Sequence, residues 1–173
     1  MIQITITGEP TGKRALLYEL RKRQGARKFV PTYHAYAECH WTGKRFEFSV
    51  VRDPSAHIFG PRPLDPYGEN GECPPSSDVP YSGTILEDGP IGFRIQLTEA
   101  GCEQEEWLVG IGSTIRKRVW IHFGACASFG CILIAGRRRS YKVVFERPLR
   151  TMLAHCATTT ISVVVLPRDM HNE

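Results

Sequence analysis

Residues 120–136 read Trp-Ile-His-Phe-Gly-Ala-Cys-Ala-Ser-Phe-Gly-Cys-Ile-Leu-Ile-Ala-Gly, an apolar stretch that carries several polar and reactive side chains. Aromatic and β-branched residues on both sides of a glycine-bearing middle are typical of two strands joined by a connection. The pattern predicts one strand that ends at His122 and another that begins at Cys131. We therefore expect the connection to bring the imidazole and the thiol to neighbouring strand ends.

A thiol beside an imidazole is the pairing that a nucleophilic cysteine requires. The thiolate is the reactive species, and a thiol with the ordinary pKa of about 8.5 needs a base or an electropositive site to form it at neutral pH. Gly130 precedes the cysteine and lets the backbone turn so that N–H groups point at a developing oxyanion. The hydroxyl of Ser128 would orient the connection or the substrate. The pattern predicts a catalytic group of Cys131, His122, Gly130 and Ser128.

The order His122-x-Gly124, then Ser128-x-Gly130-Cys131-Ile132, resembles a shortened form of the motif of the YkuD-like L,D-transpeptidase superfamily. It is closer still to the small variants found among secreted antibacterial effectors that act on peptidoglycan. The motif covers about 15 residues, and elsewhere the agreement is in size and β-rich pattern. Phe129 stands where larger members have a second histidine, so His122 must serve as the base.

The resemblance implies a mechanism without a metal or an organic cofactor. The Cys131 thiolate would attack the carbonyl of a diaminopimelate residue in a peptidoglycan stem peptide, at the bond to the terminal D-alanine. His122 would take the thiol proton and pass it to the departing amine. Backbone N–H groups around residues 129–131 would hold the oxyanion. Water, a second stem peptide or a free D-amino acid would then resolve the thioacyl-enzyme.

Substrate contacts are assigned to Phe129, Arg94, Arg137 and His34. Ile132 replaces the basic residue that many members carry after the cysteine, so another cation must contact the substrate carboxylate. Arg137 begins a run of three arginines, and Arg94 offers a forked guanidinium. His34 lies in a β run in which side chains alternate between two faces, and this would turn it toward a cleft.

Two other interpretations stay open. A non-catalytic β-rich binding or assembly module would keep the fold and use a basic face and a long loop to hold a partner. A zinc site formed by His122, Cys126 and Cys131, completed by His155 or Cys156, has suitable ligand types, although its spacing matches no common zinc finger.

The whole chain of 173 residues is 42% hydrophobic and 23% charged, which is typical of a single globular domain. Short runs rich in Val, Ile, Phe and Tyr predict a mainly β fold, a YkuD-like β-sandwich or open barrel with one or two short helices. The predicted strands are 33–38, 45–51, 92–97, 106–109, 118–122, 131–134, 141–145 and 158–166.

Three other segments complete the single domain. Residues 1–30 predict an N-terminal strand followed by a short basic helix over 13–24, because three leucines there have helical spacing. Residues 53–83 hold much of the proline and glycine and predict a long loop, suited to a lid. Residues 146–155 permit a short helix with proline in its first turn.

The net charge of +4 comes from basic clusters that lack interleaved aromatic residues, so we expect no nucleic-acid partner. We expect peptidoglycan stem peptides as substrate and an immunity or secretion-system protein as a further partner. No apolar run reaches the ~20 residues of a membrane-spanning helix.

The expected location follows from the N-terminus and the cysteines. The first residues alternate as in a strand and do not resemble a signal peptide, which predicts synthesis in the bacterial cytoplasm, export by another route and activity in the periplasm. Six cysteines lack CxxC spacing, and free buried thiols are the expectation for a chain made in the cytoplasm.

Overall fold

The computed structural model describes residues 1–18, 27–52, 72–99, 108–109, 115–116, 119–123, 131–135 and 138–169. These residues contain the strands β1 (Ile2–Tyr18), β2 (Arg27–Cys39), β3 (Arg45–Val51), β4 (Tyr81–Leu86), β5 (Arg94–Thr98), β6 (Leu108–Val109), β7 (Ile115–Arg116), β8 (Trp120–Phe123), β9 (Ile132–Ile134) and β10 (Ile161–Val165). A helical segment between β9 and β10 consists of α1 (Arg138–Tyr141), a π-helical turn (Lys142–Glu146) and α2 (Arg147–His155). The mainly β prediction is confirmed. Within the described part of the chain, no helix is both long and apolar enough to cross a membrane.

Eight of the strands form one closed barrel in the order β1-β10-β4-β5-β8-β9-β3-β2, and β6 and β7 form a separate pair. Two neighbouring pairs in the barrel are parallel, β1 with β10 and β8 with β9, and the others are antiparallel. The sheet therefore closes on itself, where the sequence predicted a sandwich or an open barrel. Closure removes both edges, so every strand of the barrel has a neighbour on each side.

The contact that closes the barrel continues past β10. The backbone N–H of Leu166 donates to the carbonyl of Ile6 at 2.9 Å, and that of Asp169 donates to the carbonyl of Gly8 at 3.1 Å. A Cβ atom at Gly8 would stand only 1.9 Å from the carbonyl oxygen of Pro167. Glycine is therefore required where the chain after β10 crosses β1.

Strands and helix share one core. Alternate residues of β1, namely Ile2, Ile4 and Ile6, face the barrel interior and are fully buried. Phe145 from the π-helical turn belongs to the same cluster and packs edge-on against Phe48 of β3, with ring centroids 4.9 Å apart. The buried side chains of the helical segment thus share one packed core with the inward side chains of the strands.

The basic helix predicted over 13–24 is wrong for the residues that the structure describes. β1 continues as a strand to Tyr18 and pairs with β2, which places Ala15 opposite Val30. Ala15 packs against the cluster that contains Val30 on the outside of the barrel. Strand pairing and this contact outweigh the helical spacing of the leucines. Residues 19–24 lie outside the described residues.

The strand predicted over 141–145 is also wrong, because this stretch is helical. Tyr141 and Phe145 are both buried, and the three residues between them are exposed. Two rings four residues apart share one face of a helix, and their burial outweighs the strand preference of the adjacent valines. The short helix predicted over 146–155 is confirmed by α2, which has proline in its first turn.

The long loop predicted over 53–83 is described only in its second part. Residues 72–80 form neither helix nor strand, and β4 begins at Tyr81. Residues 53–71 lie outside the described residues.

Cys39, at the end of β2, and Cys156, directly after α2, form a disulfide with Cα atoms 6.8 Å apart. The expectation of free thiols is therefore wrong for these two cysteines. They are separated by 117 residues, and only the closed barrel brings the strand end to the helix end.

A buried group of charges lies where the chain after β10 meets β1 and the end of β3. The carboxylate of Glu72 pairs with Nε of Arg52 at 2.6 Å and with Nε of Arg168 at 2.8 Å. Arg52 also donates to the carbonyls of Thr7 at 2.9 Å and Leu166 at 2.7 Å. The side chains of Arg52 and Glu72 are 1% and 2% exposed, so this group ties several chain segments together away from solvent.

Glu72→Gln is expected to lower the free energy of unfolding by about 3–5 kcal/mol, because it leaves two guanidinium groups buried without this carboxylate. Urea denaturation measures the loss. Glu47→Gln is the control, since it breaks the exposed pair with Arg45 at 3.0 Å and should cost less than about 1 kcal/mol. Equal losses in the two variants would contradict the role given to the buried group.

Replacing Cys39 and Cys156 together by serine is expected to lower the free energy of unfolding by roughly 3–5 kcal/mol, since the cross-link restricts a long loop in the unfolded chain. Urea denaturation without reductant compares the variant with the native chain. Peptide mapping without reduction should recover the two cysteines in one linked fragment. Recovery of both as free thiols would disprove the bond.

Candidate functional site

The structure makes β8 and β9 neighbours that run in the same direction. Ile121 pairs with Ile132, and His122 pairs with Leu133. Cys131 directly precedes β9. Continuing the register by one residue places it beside Trp120, two positions before His122. The imidazole and the thiol are therefore diagonal neighbours on adjacent strands.

Both side chains face away from the barrel interior. Ile121 and Ile132 belong to the core cluster, and side chains alternate along a strand. His122 and Cys131 consequently share the outer face of the β8–β9 pair. Diagonal neighbours on adjacent strands have Cα atoms about 7–8 Å apart, a separation that an aromatic ring bridges.

The His122 ring is held in one tautomer. Its Nδ1 lies 2.7 Å from the carbonyl oxygen of Phe123, and a carbonyl can only accept, so Nδ1 carries the proton. Burial lowers the pKa of His122, the contact with the Phe123 carbonyl opposes this, and the positive charge of Arg94 lowers the pKa further. The ring is thus neutral with its lone pair on Nε2, which is the form that a general base needs.

Arg94 stands opposite His122 in the register of β5 and β8. Its guanidinium donates to the carboxylate of Asp88 at 2.8 Å, to the backbone carbonyl of Asp88 at 2.6 Å and to that of Gly92 at 3.0 Å. The side chain is 9% exposed. Arg94 therefore acts on His122 as a fixed positive charge, and a substrate carboxylate would have to compete with these contacts.

Two residues that the sequence analysis did not single out complete this face. The ring of Trp120 meets that of His122 edge-on with centroids 6.0 Å apart, and its indole N–H donates to Oε1 of Gln96 at 3.0 Å. Arg94 lies 4.8 Å from the centre of the same indole ring. Alternation from His122 along β8 could have placed Trp120 on this face, but Gln96 needs the register of β5.

The outer face continues beyond Cys131 as a small apolar cluster. Leu133 packs there with Val30 and Val51, which lie on β2 and β3. His122 is 4% exposed and Cys131 is 3% exposed. The imidazole and the thiol are therefore buried between an aromatic and polar group on one side and an aliphatic cluster on the other.

Of the other predicted site residues, His34 is described and is not brought together with Cys131. His34 is exposed on β2, two strands away from β9. It pairs with Ser49 of β3, whose carbonyl accepts from Ala135 at the end of β9 opposite Cys131. The remaining four, Ser128, Phe129, Gly130 and Arg137, lie outside the described residues.

The disulfide excludes one of the candidate ligands of the zinc site. Cys156 is bonded to Cys39 and has no thiolate to offer. Nδ1 of His155 lies 2.8 Å from the carbonyl oxygen of Thr151. Among the side chains that the structure describes, no three metal-binding groups lie together. Cys126 lies outside the described residues.

The buried neutral imidazole predicts a dependence of stability on pH. The unfolded chain protonates His122 near the ordinary pKa of 6.5, and the folded chain resists protonation, so the free energy of unfolding should fall as the pH drops below that value. His122→Gln should reduce this loss, which for one group is at most about 1.4 kcal/mol per pH unit. Urea denaturation between about pH 7.5 and pH 5.5 measures it.

His155→Gln is the matched control, because that ring is exposed at the end of α2. An unchanged pH dependence in His122→Gln would show that the imidazole is not held neutral by the fold.

No family model, curated protein or solved structure matches this chain. Its function must therefore be argued from the chemistry of the site.

Proposed function

We propose that the protein is a cysteine-dependent acyltransferase that acts on peptidoglycan stem peptides, as an L,D-carboxypeptidase or L,D-transpeptidase. The observation that carries the proposal is the placement of His122 and Cys131 on the same face of the sheet, on adjacent strands. His122 is neutral there, and its Nε2 carries no proton. The motif over residues 122–132, which resembles that of the YkuD-like superfamily, supplies the substrate class.

The proposed reaction begins with transfer of the Cys131 thiol proton to Nε2 of His122. The sulfur attacks the carbonyl carbon of the diaminopimelate residue, and the bond to D-alanine breaks as the imidazolium returns the proton to the departing amine. A thioacyl-enzyme and free D-alanine result. Water then attacks the acyl carbon while His122 takes its proton, the bond between that carbon and the Cys131 sulfur breaks, and the imidazolium returns the proton to the sulfur. An amine from a second stem peptide would instead form a cross-link.

The fixed charge of Arg94 gives the imidazole a defined part in this cycle. It disfavours the imidazolium at rest, so His122 starts each turnover able to accept a proton. The same charge makes the protonated ring a stronger acid, which favours return of the proton to the leaving amine. The hydrogen bond from Nδ1 to the Phe123 carbonyl keeps the ring oriented throughout.

The disulfide between Cys39 and Cys156 supports a periplasmic or extracellular place of action. Disulfides form and persist in oxidising compartments, whereas cytoplasmic reductants keep thiols reduced. Peptidoglycan is reached in such a compartment. The proposal includes a role as a secreted antibacterial protein, which the resemblance implies.

A second candidate function is a non-catalytic module that binds its partner through another surface. The burial of both reactive side chains favours this candidate, since a binding module tolerates a cysteine that solvent does not reach. The two candidates differ in what they need from Cys131.

Cys131→Ala is expected to abolish the release of D-alanine from purified tetrapeptide muropeptides, because the nucleophilic sulfur is lost. His122→Gln should reduce the initial rate by about 100-fold or more, since proton transfer contributes that much to acyl transfer. Mass spectrometry of the muropeptides measures the product. Cys73→Ala, which removes another buried sulfur, should keep the native rate.

Full activity of Cys131→Ala would disprove the proposed nucleophile. A native chain that leaves muropeptides intact yet sediments with purified cell walls would favour the binding module.

A further inference from the structure

A groove of about 410 Å³ lies on the protein between the start of β3 and the helical segment. Its apolar lining includes Phe46 from β3, Val143 from the π-helical turn and Met152 from α2. This volume is in the range of sites that hold a small ligand or a few side chains of a peptide. The groove is separate from the outer face of β8 and β9, where His122 and Cys131 lie.

Positive charge surrounds this apolar lining. Lys44, Arg45 and Arg147 line the groove together with His155, and no acidic residue is among the described residues that line it. Arg45 pairs with Glu47 at 3.0 Å. Lys44 and Arg147 make no ion pair with any carboxylate among the described residues. In the part of the chain that the structure describes, these two cations beside an apolar groove have no carboxylate partner, which suits an anionic ligand.

Two apolar side chains of this region are exposed. Val143, which lines the groove, is 55% exposed, and Trp41, three residues before Lys44 in the connection between β2 and β3, is 80% exposed. Tryptophan and arginine are enriched in protein interfaces, and exposed apolar side chains are typical of surfaces that hold a partner.

We propose that this groove docks an acidic segment of a partner protein. A large apolar side chain of the segment enters between Phe46 and Met152, and its carboxylates pair with Lys44 and Arg147. The concave shape favours a peptide over a membrane, because a flat bilayer cannot reach the bottom of a groove. The apolar lining favours a peptide over a nucleic acid, whose affinity comes mainly from phosphate contacts. The site does not depend on Cys131 or on any activity.

The test is a selection of random dodecapeptides displayed on phage against the full chain, with counter-selection on Lys44→Glu/Arg147→Glu. Enriched sequences should combine Asp or Glu with at least one large apolar residue. Fluorescence anisotropy of a labelled enriched peptide should show binding to that double variant that is weaker by about tenfold or more, since truncating or reversing paired charges raises dissociation. Val143→Ser, at an exposed position, should also weaken binding.

Lys13→Glu/Arg14→Glu is the matched control, because it makes the same change of charge at exposed positions on β1. Its affinity for the peptide should remain close to the native value. Equal weakening in both double variants, or no enrichment of acidic and apolar sequences, would overturn the proposal. Binding to vesicles of equimolar phosphatidylcholine and phosphatidylglycerol that Lys44→Glu/Arg147→Glu abolishes, without peptide binding, would assign the surface to a membrane instead.

Discussion

The parallel pairing of β1 with β10 is the constraint on which the rest of the structure depends. It joins the two edges of the sheet, from the pair Ile2 and Ile161 to the pair Ile6 and Val165. Once the barrel is closed, β8 and β9 are held between β5 and β3, and the pair cannot shift without disturbing its neighbours on both sides. The positions of the imidazole and the thiol are thus set by a rigid scaffold, as a site of defined geometry requires.

Local sequence predicted the elements whose burial pattern is local. The alternation in β2 and β3 and the proline at the start of α2 are visible in short windows. The failures have a common cause. Ala15 lies in a strand because Val30 and its neighbours are there to receive it, and Phe145 lies in a helix because the barrel interior receives its ring. Neither receiving surface can be read from the adjacent residues.

The candidate site, too, could be predicted only in part from the sequence. The choice of His122 and Cys131 as candidate residues came from residue types and spacing. The parallel direction of their strands, the tautomer fixed by the Phe123 carbonyl and the charge supplied by Arg94 could not be predicted, since each depends on how the folded chain arranges these groups. The disulfide was missed for the same reason: Cys39 and Cys156 meet only through the fold.

The long sequence separation of these contacts also orders events during synthesis. Ile2 finds its partner in Ile161, and Cys39 finds its partner in Cys156, so both contacts wait until α2 and β10 have left the ribosome. Sheets built from such distant pairings form slowly. A nascent chain therefore carries β1 with one side unpaired, and the barrel assembles only after the last strand has emerged.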